Sequence, residues 1–281
     1  MEVVVTESEQ LEFSNLTRHC VFHAVSVLAP HGIHAILPAS GSHKVKMFCR
    51  DLSELLKSKS TKKGLDDILI PPLQVHKFYE GAISVEDFTM LIEKRVLEMS
   101  GADLDVEPLL RLCWQYYATE RKGDITYPKW LSPECTYRLW TIFNCVLDRK
   151  LTLQLPQLTV NEVLKRLIGL CGYTWNEKYG YNKQEALEFP DYLDTITSYF
   201  DKLKLETSLT CEVIVDMVDE IVHGVLRKGY LTKKGHKVKS WKRRWFVLRK
   251  TILQYFKSRE KLQLKVSCSS LLSSFAFSHP P

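Results

Sequence analysis

The spacing of apolar positions changes its period once along the chain. From about residue 46 apolar side chains recur every three or four residues: Val45, Phe48, Leu52 and Leu55/Leu56 share one side of a predicted helix, which runs into the polar stretch KSKSTKKG. A second helix is expected over 84–99, where Ser84 and Asp87 form a capping-box-like opening and Phe88, Leu91, Ile92, Val96 and Met99 line one face. The same period predicts helices over 106–118, 132–148, 159–172, 189–203 and 208–226. At Arg227 the period becomes two, and GYLTKKG, KRRWFVLR and ILQYFK read as successive strands rich in aromatic and β-branched residues. Residues 1–45 hold neither period and read as an irregular segment.

Charge sharpens the division. Between Arg227 and Lys265 there are 15 Lys and Arg against a single acid, Glu260, a net of +14; the remainder of a chain carrying +6 overall therefore carries −8. An acidic body is joined to a basic segment, and only the second suits anionic partners such as a membrane surface, inositol phosphates or nucleic acid. The 281 residues are 45% apolar and 26% charged, enough to bury an ordinary core. The most apolar stretch, 21–40, is broken by three His and two Pro and does not read as a membrane span. The opening residues lack a basic n-region, so no secretory signal is expected. Eight cysteines are scattered without a CxxC pair, which favours reduced thiols over a disulfide framework or a zinc site.

Three stretches of the body resemble EF-hand loops. HKFYEGAISVED (76–87) has Gly81, Ile83 and Asp87 where such a loop wants glycine, an aliphatic residue and an acid, but His76, Phe78 and Glu80 fill its first ligand positions. ATERKGDITYPK (118–129) keeps Gly123 and Ile125 but puts Ala118, Lys122 and Lys129 at ligand positions. GYNKQEALEFPD (180–191) keeps Leu187 and Asp191 but has Gly180, Gln184 and Glu185 elsewhere in the loop. A hard cation needs six or more oxygens, so helix pairs of EF-hand geometry without metal are expected, and a calcium sensor is the alternative. His19 and His23 are four apart, with His31 and His34 following, but no HExxH or cysteine pair accompanies them. No nucleophile elbow, P-loop, dinucleotide fingerprint or kinase set is present, so neither an enzyme nor a bound cofactor is expected. Trp114, Tyr116, Tyr117, Trp130, Tyr137, Trp140 and Phe143 read as packed core.

In the basic segment the alternation of a strand puts Lys242 and Arg244 on one face and Arg243 and Trp245 on the other. A hairpin through KKGHKVKSW brings Lys233 beside Lys242 and Arg244, so three cations converge as a phosphorylated inositol ring would require. Charge alone leaves open a solvated basic edge, where lysine deters strand pairing. A nucleic-acid binder is the other alternative, although no RRM, KH or zinc motif is present.

GYLTKKGHKVKSWKRRWFVLRKTILQYF resembles the start of a pleckstrin-homology (PH) domain, and by that resemblance Lys233, Lys242 and Arg244 match the basic signature of 3-phosphoinositide binders while Tyr255 matches an aromatic lining the headgroup site. LCWQYY, SPECTYRLWTIFN and EALEFPDYLDTI, leading into this segment, are similar to the switch-associated protein family of Rac guanine-nucleotide exchange factors over roughly 46–265. The resemblance implies a mainly α protein: an EF-hand-like body over 46–226, then an incomplete antiparallel β PH domain over 227–265. Residues 266–281, Ser-rich and ending in Pro-Pro, read as a disordered tail outside the domain, as in a truncated product. It further implies binding to phosphatidylinositol 3,4,5-trisphosphate-type lipids and recruitment from the cytoplasm to the plasma membrane, with nuclear residence left open. Links to Rac-family GTPases and actin would run through regions missing here.

Overall fold

A computed structural model of the chain describes residues 7–29, 40–57, 84–100, 107–126, 128–148, 150–176, 180–182, 185–204, 206–234, 240–249, 253–259 and 264–268. These form α1 (Glu7–Leu28), α2 (Ser40–Lys57), α3 (Val85–Ser100), α4 (Glu107–Glu120), α5 (Pro133–Cys145), α6 (Gln157–Leu170), α7 (Phe189–Leu203) and α8 (Thr207–Ile221), followed by β1 (Val225–Lys234), β2 (Trp241–Arg249), β3 (Leu253–Phe256) and β4 (Leu264–Cys268). The contacts divide the chain into two units at Val215/Asp216, inside α8.

The helical unit is arranged around α1, which packs on α2, α3, α4 and α5. Residues 1–45, expected to be irregular, thus contain a helix of 22 residues and the start of α2. The reason is burial on nearly every side: Leu16, Thr17, His19, Cys20, Val21, Phe22, His23, Ala24, Val25 and Leu28 are all buried. A helix enclosed all round has no polar stripe, and core Thr and His further blur the pattern. Arg18 emerges from this run to make a two-pronged pair with Glu93 of α3, Nε to Oε2 at 2.6 Å and Nη2 to Oε1 at 2.8 Å.

α5 shows how local sequence sets a helix and tertiary burial holds it. Ser132 is the N-cap, its Oγ accepting the Cys135 N–H at 3.1 Å, and Pro133 opens the first turn, where a missing N–H costs nothing. Tyr137, Leu139, Trp140, Ile142 and Phe143 are then buried. Their rings mesh with those of α4 and α7: Trp114 lies 5.5 Å from Trp140, and Phe143 5.2 Å from Tyr192 in a T-shaped contact. The aromatic residues read as core are core, apart from the half-exposed Trp114, Tyr116 and Trp130. α6 stops at Leu170 because Gly172 takes a left-handed φ of 83°, letting the Tyr173 N–H reach back to the Ile168 carbonyl at 3.1 Å.

β1 to β4 form one antiparallel sheet in chain order. β1 begins at Val225, so the residues at the end of the predicted helix 208–226 belong to the sheet. β4 likewise runs through Cys268, past residue 265; residues 269–281 of the expected tail lie outside the described residues. Val225, Val247 and Phe256, with Trp245 against them, make the apolar cluster on one face. Among the described residues no helix is long and apolar enough to cross a membrane.

Candidate functional site

Pairing in the sheet decides which side chains meet. Lys233 is directly opposite Lys242, Leu231 opposite Arg244, and Phe246 opposite Tyr255. Cross-strand partners share a face, as do residues two apart, so Lys233, Lys242, Arg244 and Tyr255 all lie on one face of the sheet. The four residues singled out from the sequence are thus brought together. Leu231, an apolar residue, joins them rather than a core and is 43% exposed.

Directly opposed lysines on neighbouring strands have Cβ atoms about 5 Å apart and repel. Here no carboxylate pairs with Lys233, Lys242 or Arg244 among the described residues. The Lys233 ammonium sits 5.0 Å from the Tyr255 ring centroid and donates to the Lys234 carbonyl at 3.3 Å, and Arg244 Nη1 donates to the Arg243 carbonyl at 3.1 Å. These contacts orient the cations and leave their charge uncompensated. Tyr255, held by the Phe246 ring at 5.4 Å, is the aromatic wall. Such a face can accept several negative oxygens at once, because each phosphate oxygen both forms a charge-assisted hydrogen bond and relieves repulsion between the cations.

The opposite face is organised differently. Arg243 lies 4.2 Å over the Tyr230 ring, Tyr230 meets Trp245 at 5.0 Å, and Arg259 lies 5.8 Å over Trp245. The backbone N–H of Arg259 also donates to the Tyr230 hydroxyl at 3.2 Å. Sequence reading missed this ladder because its two arginines come from β2 and from the turn after β3. Lys228, on the same face by alternation, is bound by Asp216 at 2.5 Å and Asp219 at 2.6 Å. Burial acts to lower the Lys228 pKa, but the two carboxylates outweigh it and raise the value.

Two of the three EF-hand-like stretches, 118–129 and 180–191, act as helix connectors among the described residues. In 118–129 Gly123 is not in the left-handed region, and Asp124 is occupied by Arg121 at 3.0 Å. Arg121 also binds Glu188 at 2.7 Å, tying this turn to the N-terminus of α7. In 180–191 Leu187 exchanges two backbone hydrogen bonds with Leu155, at 2.8 and 2.9 Å, a short bridge between the connections entering α6 and α7. The loop around Leu155 escaped the sequence reading because it has no glycine or acid at the expected places. Two histidines of α1 hold that loop: ring nitrogens of His19 and His23 lie 3.2 and 3.1 Å from the carbonyls of Lys150 and Thr152. Of the stretch 76–87, residues 76–83 lie outside the described residues. Among the described residues no three His, Cys, Asp or Glu side chains gather as a metal site.

The PH-domain profile matches residues 225–275, covering all four strands. A helical unit followed by a PH-type sheet therefore defines the class of protein. Switch-associated protein 70 from Gallus gallus is 29% identical over 188 residues, spanning 64% of this chain and 32% of that protein. Differentially expressed in FDCP 6 from Mus musculus is 28% identical over 198 residues, spanning 64% of this chain and 31% of its own length. Over this stretch the chain is similar to the switch-associated proteins. It spans about a third of the length of the curated relatives it matches. Over a shorter stretch, pleckstrin-2 from Homo sapiens is 56% identical across 34 residues, 12% of this chain and 10% of that protein.

Proposed function

We propose that the face carrying Lys233, Lys242, Arg244 and Tyr255 binds the phosphorylated headgroup of an inositol lipid, and that the protein is a phosphoinositide-responsive signalling adaptor. The observation that carries this reading is the gathering of three cations on one face with no carboxylate partner among the described residues. A lysine and an arginine two residues apart on β2, with a lysine across from them on β1, offer donors to more than one phosphate of a 3-phosphoinositide such as phosphatidylinositol 3,4,5-trisphosphate. In this reading the role is targeting rather than catalysis: the PH segment recruits the protein from the cytoplasm to the plasma membrane, and the protein serves a pathway joining Rac-family GTPases to actin.

The test uses the full chain and vesicles with or without phosphatidylinositol 3,4,5-trisphosphate at physiological salt. Two charge-assisted contacts at roughly 1.5–3 kcal/mol each predict that Lys242→Ala with Arg244→Ala lowers affinity by about 100-fold or more. Arg243→Ala removes an equal charge from the opposite face and is expected to cost less than about threefold. Equal losses from Arg243→Ala and Arg244→Ala, or retention of nucleic acid in preference to the lipid, would overturn the reading.

A further inference from the structure

A pair of cysteines in the helical unit suggests separate chemistry. Cys135 lies in the first turn of α5 and Cys211 in α8, 76 positions apart in sequence, and the Cys135 thiol points at the Cys211 sulfur across 2.6 Å. We propose that these two residues are a reversible modification site, joined as a disulfide by a peroxide-class oxidant and reopened by a dithiol.

Three observations support it. A disulfide bond is about 2.05 Å long, so closure brings the sulfurs together by about half an ångström. The start of α5 is fixed in place: Ser132 Oγ caps it through the Cys135 N–H at 3.1 Å, and the Ser132 hydroxyl also engages Cys211. Exposure is divided between the two, with Cys135 buried and Cys211 half-exposed. One sulfur is open to a small oxidant and its neighbour is shielded and poised to resolve the product. Cys20, Cys49 and Cys113, in contrast, are buried in the core.

The step balances. The Cys211 sulfur attacks hydrogen peroxide, the O–O bond breaks, and Cys211 becomes a sulfenic acid as one water leaves. The Cys135 sulfur then attacks that sulfenic sulfur; the S–S bond forms, the S–O bond breaks and a second water carries away the remaining thiol proton. Two thiols are oxidised by two electrons and one peroxide is reduced to two waters. Burial first, and then the adjacent Cys135 thiol, push the Cys211 pKa up to about 11. The thiolate is the reacting form, so formation is slow at neutral pH and accelerates as pH rises. The closed bond ties α8, the helix that leads into β1, to the start of α5, and closes a long loop of chain.

The experiment treats the reduced full chain with hydrogen peroxide at pH 7 and pH 9, blocks remaining thiols, and maps the non-reduced digest by mass spectrometry. The expected product is a linked peptide containing Cys135 and Cys211, two hydrogens lighter than the separate peptides, formed faster at pH 9 and lost with dithiothreitol. Constraining the unfolded chain predicts a melting midpoint raised by about 3 °C or more in the wild type and unchanged in Cys211→Ser. Because the peptide map is made on the wild type, it decides the matter even if Cys211→Ser folds poorly. Blocking of both cysteines as free thiols after oxidation, or linked peptides dominated by Cys145 or Cys171, would overturn the proposal.

Discussion

The two units treat positive charge in opposite ways. In the helical unit arginines are tied to carboxylates: Arg18 to Glu93, Arg111 to Glu107 and Glu134, Arg121 to Asp124 and Glu188, and Arg138 to Glu107 and Glu134. Four of these pairs, Arg18–Glu93, Arg111–Glu134, Arg121–Glu188 and Arg138–Glu107, join different elements, and guanidinium groups are held beside rings as well, Arg111 lying 4.5 Å over Tyr137. In the sheet Lys228 is held by acids, while Lys233 and Arg244 turn to backbone carbonyls and a tyrosine ring and Lys242 stands across from Lys233. A cation already neutralised contributes to folding and has little left for a ligand. A cation that repels its neighbours does the reverse, and the contrast separates residues that hold the fold from residues free to bind.

The sharpest way to test that contrast is to remove one cation from each unit. Arg18→Ala leaves the Glu93 carboxylate, whose side chain is 8% exposed, buried without its guanidinium. The expected cost is about 3 kcal/mol or more of unfolding free energy, read by urea denaturation, with lipid binding unchanged. A loss within experimental error would mean that this pair holds nothing.

A second effect separates the units by pH. His23 is enclosed by Tyr117, Trp140 and Phe143 and accepts no neutralising partner, so burial lowers its pKa to about 3, with the Thr152 carbonyl only partly opposing this. The folded imidazole is therefore neutral where the unfolded one, near 6.5, is already protonated. Stability from this group is fully present above pH 6.5 and falls as pH drops from there toward 3, by at most about 1.4 kcal/mol per pH unit. Replacing His23 by Phe should flatten the acid limb of the melting midpoint between pH 6 and pH 4; an unaltered slope would show that His23 is not its source.

The smallest effect is the most diagnostic for the sheet. Lys242→Ala removes a charge that faces another lysine, so the melting midpoint should shift by no more than about 0.5 kcal/mol equivalent and in the stabilising direction at low salt. If it destabilises as much as Arg18→Ala, the sheet's cations are structural and the contrast between the units fails.

Much of the architecture was legible along the chain because it is local. The switch from helical to strand period, the Ser132-Pro133 start of α5 and the alternation that sets Lys242 and Arg244 against Arg243 depend on residues within one or two turns. The cationic face follows from the same alternation once β1 and β2 form a hairpin in the register that places Lys233 opposite Lys242.

What only the tertiary structure decided involves partners far apart in sequence or surroundings that erase a pattern. α1 is invisible as an amphipathic helix because four neighbours enclose it, and its histidines are core residues because carbonyls of Lys150 and Thr152 meet them there. The bridge from Leu155 to Leu187 and the meeting of Cys135 with Cys211 join positions that no local spacing relates. Alternation could say that Leu231 shares a side with Lys233, but only the sheet showed that Leu231 stays exposed there beside the cations and that the other side holds Val225, Val247 and Phe256. A period tells which side chains share a face; which face is covered depends on what the rest of the chain lays against it.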